Sequence, residues 1–515
     1  MRTRLLALLI PLTLAGCAAK ARVAPAIDLS PRLLQADGLL RAGCFDCLGE
    51  ALATYQAARA MPGAPAPAIE QATSGALRAA ALLALRQREL GMVDDGYLAK
   101  AREMRAAVIC GASGLSCDAL DRILEVIELL PLASFGPASD ADLANRQRLF
   151  SNRQAWSAQL YDVAGQDPLA AYTWLAYACG PSGTTTREDT FAPLGALRDL
   201  PLLQFKMATC YATQTKTLQA LQSADPKFKD VAYPLGLAAI GLLKLDDADA
   251  ALAEAHAWHP GWPAATLSIA NVAMTAEDFD RSLAFYEETL TLEPKATDAL
   301  LGKLRALSYL GRHEPAIAVA DQLVAGRWHV GDAFYWRAWN DAQLDRLDEA
   351  WRDIESADAL LLNALVPKLA GQIAYRRTQL DVARTRFDLS LSREARDCET
   401  AFYLGVVLAE QRAWERTATV FKGALSCFSN NERNLTGEIE SIRVSDSAPA
   451  RKARLIASRE QQIAATRRLK AQSTFNTAVA YFNLSRGVEA RPYAETVADD
   501  DQFGERAREL LSRLK

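Results

Sequence analysis

The sequence predicts an all-α fold, built as a solenoid of stacked helix-turn-helix units. Three observations carry that expectation. No series of Asn-Gly hairpin turns and no strand-like alternation runs through the 515 residues. Apolar residues, chiefly Ala and Leu, recur at spacings of three and four, which keeps them on one helix face. The same pattern of side-chain size also returns every 34 residues from about 229 to 428, slipping once to 33.

Three anchor positions define the repeat. The first is Gly236, Ala270, Leu304, Ala338, Gly371 and Gly405. Twelve residues after each comes Ala248, Ser282, Ala316, Ala350, Ala383 and Thr417. This second set is uniformly small, which lets two helix backbones approach closely where they cross. Four residues further on stand Leu252, Tyr286, Ala320, Ile354, Phe387 and Phe421, mostly large and suited to filling the space between helices. Leu304 and Ala320 fit this size pattern poorly. Pro260 and Pro294 follow the second helix of their units, where a residue without an N–H can end it.

This spacing resembles the tetratricopeptide repeat, a helix-turn-helix unit of about 34 residues. Stretches such as Ala276-Glu-Asp-Phe-Asp-Arg-Ser282 and Leu344-Asp-Arg-Leu-Asp-Glu-Ala350 look like its turn. The family's early Trp position holds Ala232, Thr266, Leu300, Phe334, Pro367 and Ala401 instead. The resemblance implies a right-handed α-solenoid with a concave face lined by first helices. Carried across in register, that face holds Asn271, Arg305, Tyr309, Tyr335, Trp339, Gln372, Tyr375, Arg376 and Glu410, a candidate groove for an extended peptide or a partner helix. The same positions equally suit packing between repeats. The Lys/Asn/Arg carboxylate clamp of some chaperone-binding members has no match here.

The flanks are more degenerate. Residues 43–58 (GCFDCLGEALATYQAA) read as an enlarged repeat turn, and 68–105, 118–130 and 140–178 as helices. Residues 180–189 (GPSGTTTRED) read as a loop. Beyond the six repeats, 429–449 is polar and partly loop-like, and a helix follows from about Arg451 to Asn483. Residues 474–497 again fit the repeat through Ala478, Ala490, Ala494 and Val497, and 501–515 form an end helix that covers the last apolar face. The expected division is 1–16, 17–30, 31–228, 229–428, 429–472 and 473–515.

The first of these segments carries an address. A short basic start, an apolar run from Leu5 to Leu14 and small residues after it make a secretory signal, too short to span a membrane. Leu14-Ala15-Gly16-Cys17 resembles the bacterial lipobox. That resemblance implies cleavage after residue 16, acylation of Cys17 and a polar tether over 17–30. Ala18, where retention at the inner membrane would ask for Asp, points by the same resemblance to the outer membrane of a Gram-negative cell. Of nine cysteines, eight then remain for an oxidising compartment. Eight allow 105 pairings. Neighbour pairing is expected: Cys44 with Cys47, Cys110 with Cys117, Cys179 with Cys210, Cys398 with Cys427. In the repeat register Cys398 opens a first helix and Cys427 lies near the end of the antiparallel second.

Length and composition agree with this picture. A chain of 515 residues exceeds one ordinary core, and 50% hydrophobic with 23% charged residues excludes bulk disorder. A net charge of −4 lacks the basic excess of a nucleic-acid binder. No GxxxxGK[ST], GxGxxG, GxSxG or HExxH motif occurs. His256 and His259 stand one turn apart without an evident third ligand, which suits a surface or capping role. Cys44-Phe-Asp-Cys47 lacks the second pair of a zinc site, the following His of a haem site and the preceding strand of a redox dithiol, so it reads as a structural staple. Residues 451–470 hold seven basic residues against Glu460, either a solvated face with Ile456 and Ile463 packed on the array or a contact to anionic lipid or an acidic partner.

The expected product is a lipid-anchored, periplasm-facing scaffold or adaptor that binds a protein or peptide of the cell envelope, with no catalysis, cofactor, metal or nucleic acid. The alternative is a subunit of an envelope machine such as outer-membrane protein assembly or polysaccharide export. A redox or metal enzyme around Cys44 and Cys47 is the third reading.

Overall fold

The computed structural model of the chain describes residues 28–110, 114–130, 136–179, 190–210 and 215–514. The signal segment, Cys17, most of the tether and the loop at 180–189 lie outside them. Among the described residues every regular element is helical, and no helix is long and apolar enough to cross a membrane.

Six helix pairs follow one another where the period places them. Repeat 1 pairs Ala232–Gly241 with Leu245–Trp258, repeat 2 Pro263–Thr275 with Phe279–Leu292, and repeat 3 Thr297–Tyr309 with His313–Gly326. Repeat 4 pairs Val330–Gln343 with Leu347–Asp358, repeat 5 Leu365–Arg376 with Leu380–Arg393, and repeat 6 Cys398–Glu410 with the longer Trp414–Val444.

The anchors do what their sizes imply. Phe387 lies against Gly371 so closely that an added Cβ would stand 2.5 Å from its ring, and the matching distance from Gly405 to Phe421 is 2.7 Å. The small second anchors close the same crossing, where the Ser282 hydroxyl donates to the Ala270 carbonyl at 3.0 Å. Leu304 and Ala320, poor fits by size alone, are both fully buried in one cluster. They exchange the usual volumes, the large residue on the first helix and the small one on the second, so the gap is filled from the other side.

Each turn carries one left-handed residue at the same place: Leu243, Glu277, Gly311, Asp345, Thr378 and Arg412, with φ between 56° and 69°. The N–H of the following residue returns to the carbonyl five residues back, as from Lys244 to Ala239, Arg346 to Asp341 and Ala413 to Leu408, each at 2.9 Å. This satisfies carbonyls that the helix end leaves open. Ser485 repeats the device, with Arg486 bonded to Tyr481 at 2.9 Å, at the junction of Pro449–Asn483 and Gly487–Thr496. The last helix, Gly504–Arg513, packs Leu510 with Ala478 and Ala494 and covers the end.

The stretch 429–449 departs from expectation. Helix runs unbroken to Val444, the turn occupies only 445–448, and the returning helix begins at Pro449. Ile456 and Ile463 pack on Leu435 and Ile439 of the outgoing helix, not on the array. A two-helix hairpin needs only this narrow apolar seam, so its sequence reads as mostly polar. Cys427 accordingly sits in mid-helix.

Upstream, the expected helix at 68–105 is two, Ala66–Leu90 and Tyr97–Arg105, parted where Gly91 and Gly96 take positive φ. The expected helix at 140–178 is three, Asp140–Ser151, Arg153–Ala164 and Pro168–Ala178, the last opening on a proline capped by Asp167. Residues 43–58 do form a turn and helix: Gly43 is left-handed, and Cys44 caps Phe45–Arg59 with its sulfur accepting from the Cys47 N–H at 2.9 Å. The buried core runs without a break from Leu29 to Ala265, across position 228. Arg86 and Asp230, both 0% exposed, meet there at 2.5 Å, with Phe205 stacked 3.3 Å from the guanidinium. The Trp262 indole also donates to the Leu90 carbonyl at 2.6 Å.

Disulfides join Cys44 to Cys47, Cys110 to Cys117, Cys179 to Cys210 and Cys398 to Cys427. The last staples the two helices of repeat 6 across 29 residues, a loop worth about 3 kcal/mol by chain entropy.

Candidate binding groove

Each first helix touches the first helix of the next repeat, all along the array. First helices therefore form the inner layer, and residues one face away from the anchors line it. Between repeats 4, 5 and 6 this layer opens into a cavity of about 590 Å³. Tyr335, Trp339, Gln372, Tyr375 and Arg376 line it, five of the groove residues read from the register.

The other four lie elsewhere. Asn271 is exposed on the first helix of repeat 2 and accepts from the Tyr286 hydroxyl at 2.7 Å, outside the cavity. Arg305 is exposed on the first helix of repeat 3, outside the cavity. Tyr309 stacks on Phe279 at 4.8 Å and meets Trp336 edge-on at 5.5 Å. Trp336 in turn contacts Trp339 at 5.9 Å, so a ladder of rings leads from repeat 2 into the cavity. Glu410, on the rim, accepts from the Tyr375 hydroxyl at 2.6 Å.

Lys368, Glu399, Tyr403 and Gln343 also line the cavity. Lys368 and Gln343 stand at the offsets of Tyr335 and of Arg376 from their anchors, so the register itself would have found them. Glu399 and Tyr403 come from the start of repeat 6, where no anchor marks them. Lys368 Nζ lies 2.7 Å from Glu399 and 3.1 Å from Asp397. Burial alone would lower its pKa; the two carboxylates outweigh that and hold it up. Burial pushes the Tyr335 hydroxyl up to about 12, and burial with Glu410 does the same for Tyr375. These hydroxyls stay protonated donors at any physiological pH. Arg376 is held by the Ala342 carbonyl and by Asp345. The arrangement offers ring faces, amides and hydroxyls to a ligand.

A paired-helix period of 34 residues, a left-handed residue closing every turn and an inner wall of first helices occur together. The array has the tetratricopeptide architecture. No protein-family model matches the chain, and no curated protein matches it in sequence. Among solved structures it is similar to MamA, at 18% identity over 33% of this chain and 94% of that one, with a TM-score of 0.29. It is similar to YrrB, described as a TPR protein with an unusual peptide-binding site, at 19% identity over 34% and 91%, TM-score 0.29. The Cut9–Hcn1 assembly is matched at 13% identity over 95% and 97%, TM-score 0.37.

The other sequence candidates resolve as structural parts of this tetratricopeptide-type solenoid. Cys44 and Cys47 are 0% and 1% exposed in a helix-turn-helix setting, closed to a redox partner. His256 bonds Glu288 at 2.7 Å, while His259 caps the helix end beside Trp258. Five of the seven basic residues of the helix pair with carboxylates of the chain. Arg451 meets Asp246 and Asp249, Arg454 meets Asp278, Arg459 meets Glu277 and Glu438, and Arg467 and Lys470 share Glu432.

Proposed function

We propose that this chain is an interaction scaffold that holds an extended protein segment in the groove of repeats 4 to 6. It is anchored through an acylated Cys17 and faces the periplasm from the outer membrane. The observation that carries the reading is the cavity of about 590 Å³ built by three successive first helices, walled by half-buried rings. Aromatic and amide side chains held on rigid helices suit a partner peptide, because little side-chain entropy is lost on binding. The lipobox-like Leu14-Ala15-Gly16-Cys17 and the four disulfides support an oxidising, membrane-attached location. A dedicated subunit of an envelope assembly or export machine is the second reading.

The test is crosslinking in intact cells with partner identification, repeated with Trp339→Ala in the groove and Arg352→Ala on the outer helix of repeat 4. The groove variant is expected to lose the partner and the outer one to keep it. Equal capture by both removes the groove assignment. A stoichiometric complex that survives purification selects the machine subunit. Cys17→Ser is expected to move the chain from the membrane to the soluble fraction; continued membrane attachment refutes the anchor.

A further inference from the structure

The groove has aromatic faces, but its formal charges are unevenly matched. Two cations belong to it, Lys368 and Arg376, and both are already engaged. Lys368 sits between Asp397 and Glu399 at 3.1 and 2.7 Å, its side chain 19% exposed. Arg376 is held by Asp345 at 2.7 Å and by a backbone carbonyl. Of the carboxylates only Glu399 lines the cavity; Asp397, Asp345 and Glu410 stand just behind or beside it, bonded to Lys368, Arg376 and Tyr375. Glu410 is bonded by the neutral Tyr375 hydroxyl, so that contact leaves its charge in place. An incoming anion would have to pull Lys368 away from two carboxylates while passing the charge of Glu399 on the rim, 43% exposed. An incoming cation meets the exposed Glu399, the nearby Glu410 and the faces of Tyr335, Trp339 and Tyr403, which attract positive charge through their ring quadrupoles.

Resting on the reading of this groove as a peptide site, we propose that it selects extended segments in which a Lys or Arg stands among aromatic or aliphatic residues, and rejects acidic segments and free C-terminal carboxylates. The basic group lies over the rings toward Glu399 and Glu410. The apolar neighbours fill the space over Leu369 and Ile373, and Gln343 and Gln372 bond the extended backbone. Specificity here is the exclusion of one sign of charge, set by cations that the fold has already neutralised.

The probe is a displayed library of random linear peptides, selected on the full chain and counter-selected on Trp339→Ala. Enriched peptides are then measured by fluorescence anisotropy. The expected result is enrichment of Lys or Arg beside apolar residues and depletion of Asp and Glu. Affinity is expected to fall with added salt, and about tenfold in Glu399→Gln, which removes the rim charge while Lys368 keeps Asp397. Each selected variant is checked by thermal melting, and Gln372→Ala serves beside Trp339→Ala where the latter melts early. Enrichment of acidic or carboxyl-terminal peptides that still depend on Trp339 or Gln372 overturns the charge class and leaves the groove standing. Peptides indifferent to both, or no enrichment over the counter-selection, overturn the groove reading itself.

Discussion

Arg451 Nε lies 2.9 Å from a carboxylate oxygen of Asp246, across 205 residues of sequence, with only 6% of the arginine side chain exposed. The same guanidinium takes Asp249, and Arg454 and Arg459 of the same helix meet Asp278 and Glu277 in the next turn. The hairpin that grows out of repeat 6 thus closes back onto the turns of repeats 1 and 2. It ties the two ends of the array together, which holds the curvature of a structure whose units otherwise contact only neighbours.

Removing this contact is expected to cost more than removing its more exposed companions. Arg451→Ala takes the cation from the partly exposed Asp246 and one of two from Asp249, which keeps Arg281, and is expected to cost about 1–2 kcal/mol. Arg459→Ala and Arg454→Ala, on more exposed pairs, are expected to cost under about 1 kcal/mol each. Denaturant unfolding ranks the three, and hydrogen exchange over 429–470 should quicken most in Arg451→Ala. Equal costs for all three would show that the clasp is an ordinary surface pair.

Two helical glycines should respond to alanine with opposite signs. Gly371 faces the Phe387 ring, which a Cβ would meet at 2.5 Å, so Gly371→Ala must displace it and is expected to destabilise by about 1–3 kcal/mol. Gly423 has nothing within 4 Å of the same position, so Gly423→Ala is expected to stabilise by about 0.5–1 kcal/mol. Thermal melting of the two variants checks the pair, and a shift of the same sign in both contradicts the packing account.

Asp341 predicts a pH effect. Burial first, then Asp353, push its carboxyl up to about 6 from an ordinary 3.8, against the pull of Arg346 and Arg337. Well below the ordinary value the group is protonated folded and unfolded, and contributes nothing. As pH rises from there to about 6 the unfolded chain releases the proton first, so stability falls through that window and stays reduced above it. Asp341→Asn is therefore expected to raise stability by about 2 kcal/mol at neutral pH and hardly at all at pH near 4. Melting curves across the acid range test it; a gain independent of pH would point to some cause other than charge.

The Arg86–Asp230 pair predicts a non-additive result. Arg86→Met strands the Asp230 carboxylate, whose pKa burial already pushes up, and is expected to cost about 3–5 kcal/mol. Adding Asp230→Leu is expected to recover much of that loss, since the stranded charge goes. A double variant as unstable as the sum of the singles refutes the account.

Much of this was legible in residue order because a solenoid repeats its own packing problem. A small residue that must admit a neighbouring helix recurs at a fixed interval, so Gly236, Gly371 and Gly405 announced their partners Leu252, Phe387 and Phe421. The turn did not announce itself. Its left-handed residue is glycine only at Gly311; elsewhere Leu243, Thr378 and others accept the strain because helix packing and the returning N–H hold them there. The groove divides along the same line. Ring and amide positions on the first helices follow the period, so Tyr335, Trp339, Gln372, Tyr375 and Arg376 could be read, whereas Glu399 and Tyr403 enter from the next repeat through the curvature of the stack.

By itself, then, the sequence determined the helical class, the period, the inward face and the neighbouring cysteines that pair, all of which depend on contacts within one or two repeats. Only the tertiary structure decided that Arg451 of the basic helix spends its charge on Asp246, and that the upstream helices share a core with repeat 1. Those contacts join residues 144 to 205 positions apart, and no local periodicity encodes which distant carboxylate a guanidinium will meet.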